Sequence, residues 1–291
     1  MAIVGVDIGN ITSIAVCNDI NVVVESRLEK ATELNLLGAD DSFKYENEKY
    51  ITNSGRFENN FIKHEKENFL GLMYYAISRV TQENKIDLAI GLPAGQYNSR
   101  KTELKDFILN NNRKIIDNRE IHIKDVIVIP EAYGVKTNGL ISKTNKTLVI
   151  DVGGGTTDIA LFENGKFKGE ESRSIKFGLL DVYRETKNYI DDKYNLNITL
   201  EDAKKYFDGE LDLLNKDTYY KVDIVKAALK KIINELRGLY ANISSYNIVL
   251  TGGVATVLYQ TFKKIYPQTE ILDDIKANAT GFYRVGVKKF E

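Results

Sequence analysis

Tryptophan is absent from this chain of 291 residues, and cysteine and proline are scarce, with one and three occurrences. The single cysteine, Cys17, excludes an internal disulfide, and its apolar neighbours predict a small buried side chain. The 40 basic and 41 acidic side chains nearly cancel, so no overall field favours nucleic acid or a membrane surface. The chain lacks an apolar run of transmembrane length and the basic start of a signal peptide. We therefore expect a soluble, cytoplasmic protein that contacts neither membrane nor nucleic acid directly.

One segment occurs twice, about half the chain apart. Residues 6–16 and 150–161 each read as an apolar strand, an aspartate, a turn of small residues and a second apolar strand. One inserted residue aligns Asp7 with Asp151, and residues 12–15 with residues 157–160. A chain that builds the same acidic hairpin in each half can face the two copies across a cleft.

The groups in each hairpin suit a nucleoside triphosphate and its metal. Glycine in the turn lets backbone N–H groups approach a phosphate closely, and the threonine hydroxyls add donors. The aspartate would repel phosphate by itself, but it can hold Mg²⁺ through water while phosphate oxygens bind the metal directly. The alternative is that glycine-rich turns merely close hairpins. Two matched copies, each with aspartate in the same place, favour the nucleotide.

Strands alternate with helices in both halves, which indicates α/β layers with mostly parallel sheets. We predict a first domain at residues 1–142, with a small inserted subdomain at about 27–64. A second domain is predicted at residues 143–291, with a reduced small subdomain at about 196–222. Helices are expected at about 66–83, 99–112, 179–194, 222–241 and 275–285, and the second half is expected to open with strands at 147–152, 157–163 and 166–171.

Three further features follow predicted strands, at the edge where ligands gather in open α/β sheets. Residues 251–253 end in a glycine pair, which either receives a base or ribose or only turns the strand into a helix. Glu131 follows Pro130 in the first turn of a predicted helix. It is either a carboxylate that orients a water for attack on a γ-phosphate or a glutamate favoured by the helix dipole. Asp158 is either an indirect metal ligand or a turn cap.

The order of these motifs resembles that of the actin, sugar kinase and heat-shock ATPase superfamily, over nearly the whole chain. Within it, the chain looks most like the ParM-type bacterial actins that partition plasmids. The segments that carry the resemblance are 6–16, 91–97, 127–132, 151–158, 250–255 and 277–286. The resemblance implies two ribonuclease-H-like, actin-like domains that close on ATP or ADP with Mg²⁺, with GTP also possible. The segment before residue 252 is shorter than in actin, which leaves base preference and filament geometry open.

By this resemblance, Asp7 and Asp151 would hold Mg²⁺ mostly through water, together with Asp158. Glu131 would position the hydrolytic water. The implied nucleotide-binding residues are Asp7, Gly9, Asn10, Thr12, Gly153, Gly154, Gly155, Thr156, Thr157, Gly252, Gly253 and Val254.

The resemblance also implies a function, which is a polymerising ATPase or GTPase. Its monomers would stack head to tail, and hydrolysis would destabilise the filament. Such a filament would segregate plasmid DNA through a DNA-binding adaptor protein at a centromere-like site. A small-molecule kinase of the same superfamily and a non-polymerising ATPase switch remain as alternatives, because a fold does not determine a function.

Overall fold

The structure is a computed structural model that describes residues 1–36, 41–58, 60–211 and 219–291, with only the backbone described at 219–222. The first half contains β1 (Ala2–Ile8), β2 (Thr12–Cys17), β3 (Ile20–Glu25), β4 (Leu28–Lys30), α1 (Glu33–Leu36), β5 (Ser42–Tyr45), β6 (Glu48–Thr52), α2 (Phe69–Val80), β7 (Lys85–Leu92), α3 (Tyr97–Asn110), β8 (Arg113–Ile116), β9 (Arg119–Pro130) and α4 (Tyr133–Thr137). The second half contains β10 (Lys146–Val152), β11 (Thr157–Glu163), β12 (Lys166–Phe167), β13 (Arg173–Ile175), α5 (Leu179–Tyr194), α6 (Leu200–Asp208), α7 (Tyr219–Leu239), β14 (Asn247–Thr251), α8 (Ala255–Ile265), β15 (Thr269–Leu272) and α9 (Ala277–Phe290).

The first sheet has the strand order β3-β2-β1-β7-β9-β8-β5-β6-β4. Strands β1, β7 and β9 run parallel, and β2 and β3 extend the sheet as an antiparallel meander. Seven of the eight residues of β7 are buried, as expected for a central strand that is covered on both faces. Within the inserted range 27–64, the described strands β4, β5 and β6 continue this sheet at its far edge.

The second sheet repeats the central arrangement, with the order β12-β11-β10-β14-β15 and β13 paired to β11. Strands β10, β14 and β15 are parallel, and β10 pairs with β11 in the opposite direction. The predicted strand at 166–171 is wrong beyond its second residue, because a 3-10 turn follows at Gly169–Glu171. The Ser172 hydroxyl donates to Lys168 O and accepts from Leu161 N–H, which occupies the positions that a longer strand would use.

Most helices lie where the apolar periodicity places them. Helix α5 coincides with its predicted range, and α6 begins after Thr199, whose side chain caps it at Asp202 N–H. Part of the predicted small subdomain at 196–222 lies outside the described residues. Within the described ranges, no helix combines the length and the apolar character needed to cross a bilayer.

Helix α9 leaves the second half of the chain and packs against β1, β7 and α4. Ala279 and Phe282 are completely buried there, and Phe282 contacts Ala89 and Ile129 of the first sheet. Small residues permit this close approach, since a Cβ atom on Gly5 would lie 2.3 Å from Ala279 O. The predicted second domain at 143–291 includes this helix, but the structure places it on the first sheet.

Candidate functional site

The two repeated hairpins have the same closing hydrogen bond. Gly9 N–H donates to Thr12 O, and Gly153 N–H donates to Thr156 O, each over 2.9 Å. Thr12 therefore corresponds to Thr156, and the alignment that pairs it with Thr157 through one inserted residue is wrong. The sequence could not fix this point, because threonines occupy both positions of the second turn.

The strand registers give the same equivalence. Asp7 lies opposite Ile14 in the first hairpin, and Asp151 lies opposite Asp158 in the second. Asp158 therefore corresponds to Ile14, so only Asp7 and Asp151 are matched carboxylates. The two hairpins are therefore alike in the aspartate before the turn, and they differ in the strand after it, where one has Ile14 and the other Asp158.

The turns of the two hairpins touch each other. A Cβ atom on Gly155 would lie 1.7 Å from Asn10 Nδ2, and one on Gly154 would lie 2.8 Å from Ile11 N. A side chain at Gly155 would force the Asn10 side chain to move, because the two would occupy the same space. The close approach brings the backbone N–H groups of both turns to one end of the cleft.

A cavity of about 200 Å³ lies between the two hairpins. Its lining includes the predicted residues Asp7, Gly9, Asn10, Thr12, Glu131, Asp151, Gly153, Gly154, Gly155, Thr156, Asp158, Gly252 and Gly253. Thr157 and Val254 lie outside it. Thr157 is completely buried and donates to Phe177 O over 2.9 Å, because neighbouring residues of a strand point to opposite faces. Val254 is 3 % exposed and packs in the apolar core between the second sheet and its helices.

Glu131 stands at the end of β9 and is aimed into the cavity. The prediction that it lies in a helical turn is wrong, because its N–H donates to Leu92 O over 2.8 Å and α4 begins only at Tyr133. Ala132 has a left-handed backbone, with φ 71°, and turns the chain from the strand into the helix. Glu131 is therefore held by the sheet on one side and by a tight turn on the other.

Lys63 is a site residue that the sequence reasoning missed. Its side chain is 5 % exposed, and its Nζ lies 3.1 Å from Asp7 Oδ1 and 2.5 Å from Glu131 Oε1. It also donates to Gly91 O over 3.1 Å. Burial opposes its charge, but Glu131 and Asp7 raise the pKa of Lys63 above its ordinary value. Conversely, burial raises the pKa of Glu131, and Lys63 counteracts that rise.

Asn278 is a second residue outside the predicted site set. Its Nδ2 donates to Asp151 Oδ2 over 2.8 Å, and its Oδ1 accepts from Ala132 N–H over 3.0 Å. Burial and the nearby Glu131 raise the pKa of Asp151 to about 7, although the bond from Asn278 acts against that rise. Asn278 belongs to the 277–286 segment noted in the sequence, but nothing there marks its partners.

Asp158 connects the two halves of the molecule. Its Oδ1 accepts from Ala94 N–H over 2.8 Å and from the Ser174 hydroxyl, and its Oδ2 accepts from Thr156 Oγ1 over 3.0 Å. Burial raises the pKa of Asp158 to about 6, and the bond from Ser174 opposes this rise. Both carboxylate oxygens therefore have donors from the protein, unlike those of a carboxylate that waits for a ligand.

The glycine pair after β14 forms the opposite wall of the cavity. Gly252 has φ +94°, and a Cβ atom there would lie 2.5 Å from Asp151 Oδ1. A larger residue would be strained and would press on this aspartate. In the described part of the chain, no group of three or more histidine, cysteine, aspartate or glutamate side chains is arranged to hold a metal ion.

Ion pairs link the two halves through the inserted subdomain and α6. Arg27 Nη1 lies 2.9 Å from Glu201 Oε2, and Arg27 Nε donates to Glu25 Oε2 over 2.8 Å. Lys204 of α6 also lies 3.6 Å from Glu25 Oε1. The Arg27 guanidinium is nearly buried and packs 4.8 Å above the Phe57 ring. We call these four charged residues, Glu25, Arg27, Glu201 and Lys204, the cross-cleft cluster.

In comparison with known proteins, the first part of the chain matches a family model by sequence. The family model "Actin like proteins N terminal domain" matches residues 5–134, somewhat less than half of the chain. A curated relative is the cell division protein FtsA of Enterococcus hirae, with 23% identity over 182 residues. This match covers 52% of the present chain and 38% of FtsA, so the chain spans little more than a third of that relative.

Solved structures resemble the whole chain. A non-polymerisable quadruple mutant of pCBH ParM has a TM-score of 0.83 at 21% identity, with 99% of both chains covered. A 15-stranded ParM filament from Clostridium botulinum has a TM-score of 0.82 at 20% identity, with 99% of both chains covered. Ta0583, an archaeal actin homologue in complex with ADP, has a TM-score of 0.83 at 17% identity, over 99% of this chain and 100% of that one.

At these identities the likeness shows the fold, which is α/β with two actin-like domains that face a cleft. The predicted fold class is confirmed. The predicted resemblance to the actin superfamily is confirmed as well, and ParM proteins and an archaeal actin homologue are among the structural neighbours.

Proposed function

We propose that this actin-like chain binds ATP or GTP with Mg²⁺, polymerises in that state and hydrolyses the nucleotide to time the loss of its filaments. The observation that carries the proposal is the pair of matched hairpins whose aspartates, Asp7 and Asp151, face one cavity beside the buried Glu131. A second line of support is the archaeal actin homologue of the same fold that was solved in complex with ADP.

The cavity has the chemistry that a metal-bound nucleotide requires. Asp7 and Asp151 supply carboxylate oxygens, and burial together with the nearby Glu131 raises the pKa of Asp151. The turns at 9–12 and 153–156 would offer phosphates the Thr12 hydroxyl and the backbone N–H groups that do not close the hairpins, whereas the Thr156 hydroxyl donates to Asp158. The glycine pair at 252–253 would lie against the nucleoside. When bound, Mg²⁺ neutralises phosphate charge and orients the phosphoryl group for transfer.

Glu131 is the residue that we assign to the hydrolytic water. Its carboxylate is fixed by the turn at Ala132 and by Lys63, and it faces the same cavity as the phosphate-binding turns. Phosphoryl transfer depends on positioning more than on covalent chemistry, so one well-placed acceptor for a water proton has a large effect. Asp158 would act indirectly, by keeping β11 attached to the residue after Pro93.

Filament formation is proposed from the neighbours of the same fold, one of which was solved as a ParM filament. Monomers would associate head to tail, through a heterologous contact that does not close into a ring. We further propose that the filament moves plasmid DNA through a DNA-binding adaptor protein at a centromere-like site, in the cytoplasm. The balanced charge of the chain supports an adaptor rather than direct binding to DNA.

Light scattering at 90° and phosphate release, recorded together after addition of Mg-ATP or Mg-GTP, test this proposal. Wild type should show a rise in scattering that decays as phosphate appears. Glu131→Ala should show a lasting rise and a loss of turnover of roughly 10²-fold or more, because it loses the group that positions the water. Glu103→Ala, an exposed glutamate on α3, is the control and should behave as wild type.

A flat scattering trace with both nucleotides would refute the filament. If phosphate were then transferred to an added metabolite, the protein would be a kinase of the same superfamily. Slow turnover without polymer or transfer would instead leave a non-polymerising ATPase switch.

A further inference from the structure

A segment of the inserted subdomain enters the cavity beside the first hairpin. Asn60, Phe61, Lys63 and Lys66 all contribute to its wall. A short 3-10 turn at Lys63–Glu65 directs both lysines inward just before α2 begins. The cavity is therefore not made by the repeated hairpins alone.

Lys66 is a buried cation at this wall. It is 8 % exposed, and its Nζ donates to Gly9 O in the first turn over 3.1 Å. In the described ranges, no carboxylate forms an ion pair with it. Burial, reinforced by repulsion from Lys63, lowers the pKa of Lys66 to about 7. A buried ammonium without a counter-ion is unfavourable, so the position needs a reason other than stability.

Lys63 shows the contrast within the same segment. Two carboxylates and a carbonyl oxygen surround its ammonium, so the protein already neutralises that charge. Lys66 has one carbonyl partner and lies against the turn that presents its N–H groups to the cavity. Glu131, Glu58 and Asp7 act on Lys66 from a distance, but no described carboxylate pairs with it directly. An anion bound in the cavity could make that direct contact.

We propose that Lys66 binds the phosphate chain of the nucleotide, next to the turn at residues 9–12. This inference rests on the proposed nucleotide binding and adds its cationic partner. The inserted subdomain is then part of the binding site, and the two hairpins without it would hold the phosphates with N–H groups and metal only. A charge-assisted bond from a buried lysine is stronger than one from a surface lysine, because little water competes for it.

Lys66→Met and Lys66→Gln test this inference, with Lys49→Met as the matched control. Lys49 is exposed on β6 of the same subdomain, so the control removes the same charge from the surface. Three quantities are measured for each protein. They are the melting temperature without ligand, the Kd for Mg-ATP, Mg-GTP and Mg-ADP by calorimetry, and the melting shift caused by Mg-tripolyphosphate.

We expect Lys66→Met to melt at or above the wild-type temperature without ligand, because it removes an unpaired buried charge. Its affinity for the better nucleotide should fall about tenfold or more, and the shift caused by tripolyphosphate should disappear. Lys49→Met should match wild type in all three measurements. If Lys66 had a purely structural role, Lys66→Met would instead melt below the wild-type temperature without ligand.

Wild-type affinity in both Lys66 variants would overturn the inference, as would a loss of affinity that only follows a lower melting temperature. If wild type bound no nucleotide, the proposed function would fail on its own. The melting shift caused by Mg-tripolyphosphate would then test Lys66 by itself. A shift that is present in wild type and lost in Lys66→Met would support an anion site at Lys66. The absence of a shift in wild type would refute it.

Discussion

At the scale of single residues, the cleft gathers buried charges of both signs into one small volume. Asp7 and Glu131 each form a direct ion pair with Lys63. Among the described residues, the partner of the Asp151 side chain is the amide of Asn278, and that of the Lys66 side chain is a backbone carbonyl. Groups that are buried without a charge partner raise the free energy of the ligand-free fold. The preformed binding site is thus expected to lower the free energy of unfolding of the ligand-free protein.

The free energy of unfolding of the ligand-free protein should depend on pH through the protonation of Lys66. Its folded pKa of about 7 lies below the ordinary value of 10.5. Between these values the unfolded chain holds a proton that the folded chain has released, so the contribution of this group to stability rises with pH. Lys66→Met should exceed wild type by about 1–3 kcal/mol at pH 6 to 7, and the difference should shrink towards pH 10.

Urea unfolding of both proteins across this pH range measures the difference. The charged groups that face Lys66 are Lys63, Glu131, Glu58 and Asp7. These groups remain in both proteins, so to a first approximation their effects cancel in the comparison. A stability difference that did not change between pH 7 and pH 10 would contradict the prediction.

Acidic and glycine residues of the site could be predicted, but its lysines could not. Asp7 and Asp151 stand at strand ends beside glycine turns, and the repetition of this pattern in both halves made them candidates from the sequence. Lys63 and Lys66 lie in a polar stretch where lysine is common, and only the folded chain shows that they are buried. Their role depends on the contact between the inserted segment and β1, which no spacing in the sequence encodes.

At the scale of elements, the start of α9 fixes the end of β9 that leads into Glu131. Asn278 bonds to Asp151 of β10 with its amide nitrogen and to the Ala132 backbone with its amide oxygen. Three elements from distant parts of the chain therefore meet in one side chain. Because Ala132 directly follows Glu131, this side chain also limits where the glutamate can point.

Asn278→Ala should lower both stability and turnover. It leaves the Ala132 N–H and one oxygen of Asp151 without partners, which costs about 1–3 kcal/mol. Thermal unfolding and phosphate release measure the two effects, and Lys289→Ala on the exposed face of the same helix is the control. If Asn278→Ala kept the wild-type rate of phosphate release per folded molecule, Asn278 would have no positioning role.

Long periodic elements were predictable, whereas ends and edges were not. Helix α5 has five buried residues at helical spacing and coincides with its prediction. The short strands β8, inside the first sheet, and β15, at the edge of the second, have only four residues each, and the sequence reasoning did not identify them. The helix predicted at Glu131 starts two residues later, because a hydrogen bond to Leu92 O extends the strand, and this partner is distant in sequence.

At the scale of the whole molecule, the cross-cleft cluster joins the two halves on the side of the small subdomains. Arg27 is nearly buried, and its bond to Glu201 spans from the first sheet to α6. Glu201 itself is partly exposed, so this link is weak enough to open without unfolding. A closed cleft would hold a nucleotide, and its exchange would require this link to break.

Glu201→Gln should accelerate nucleotide release by about two- to fivefold, because it removes the ion pair with Arg27, which is worth at most about 1 kcal/mol. It also removes the pair with Lys205, but that pair lies within α6 and does not cross the cleft. Arg27 keeps its bond to Glu25 in this variant, so no buried charge is left alone. Stopped-flow displacement of a fluorescent nucleotide measures the rate, with Glu48→Gln in the exposed pair with Lys30 as the control. Equal release rates in wild type and Glu201→Gln would show that the pair does not restrain the cleft.

The repeat in the sequence was sufficient to predict two facing sheets and the cleft between them. It was not sufficient to assign every element to its sheet, because the domain boundaries follow the order of the chain. Helix α9 follows β15 in sequence but lies on the first sheet, where small residues such as Ala279 fit closely. Its amphipathic pattern shows that one face is buried and does not show against which sheet.

The return of α9 to the first sheet has a consequence for how the protein is made. The ribosome makes β1 long before α9, so the face of the sheet around Ala89 and Ile129 stays uncovered while the second sheet is being synthesised. Domains usually fold in the order of synthesis, but here the first cannot be completed before α9 has emerged. Nascent chains of this protein should therefore depend on chaperones until late, and a fragment that ends at residue 142 should aggregate unless α9 is supplied as a peptide.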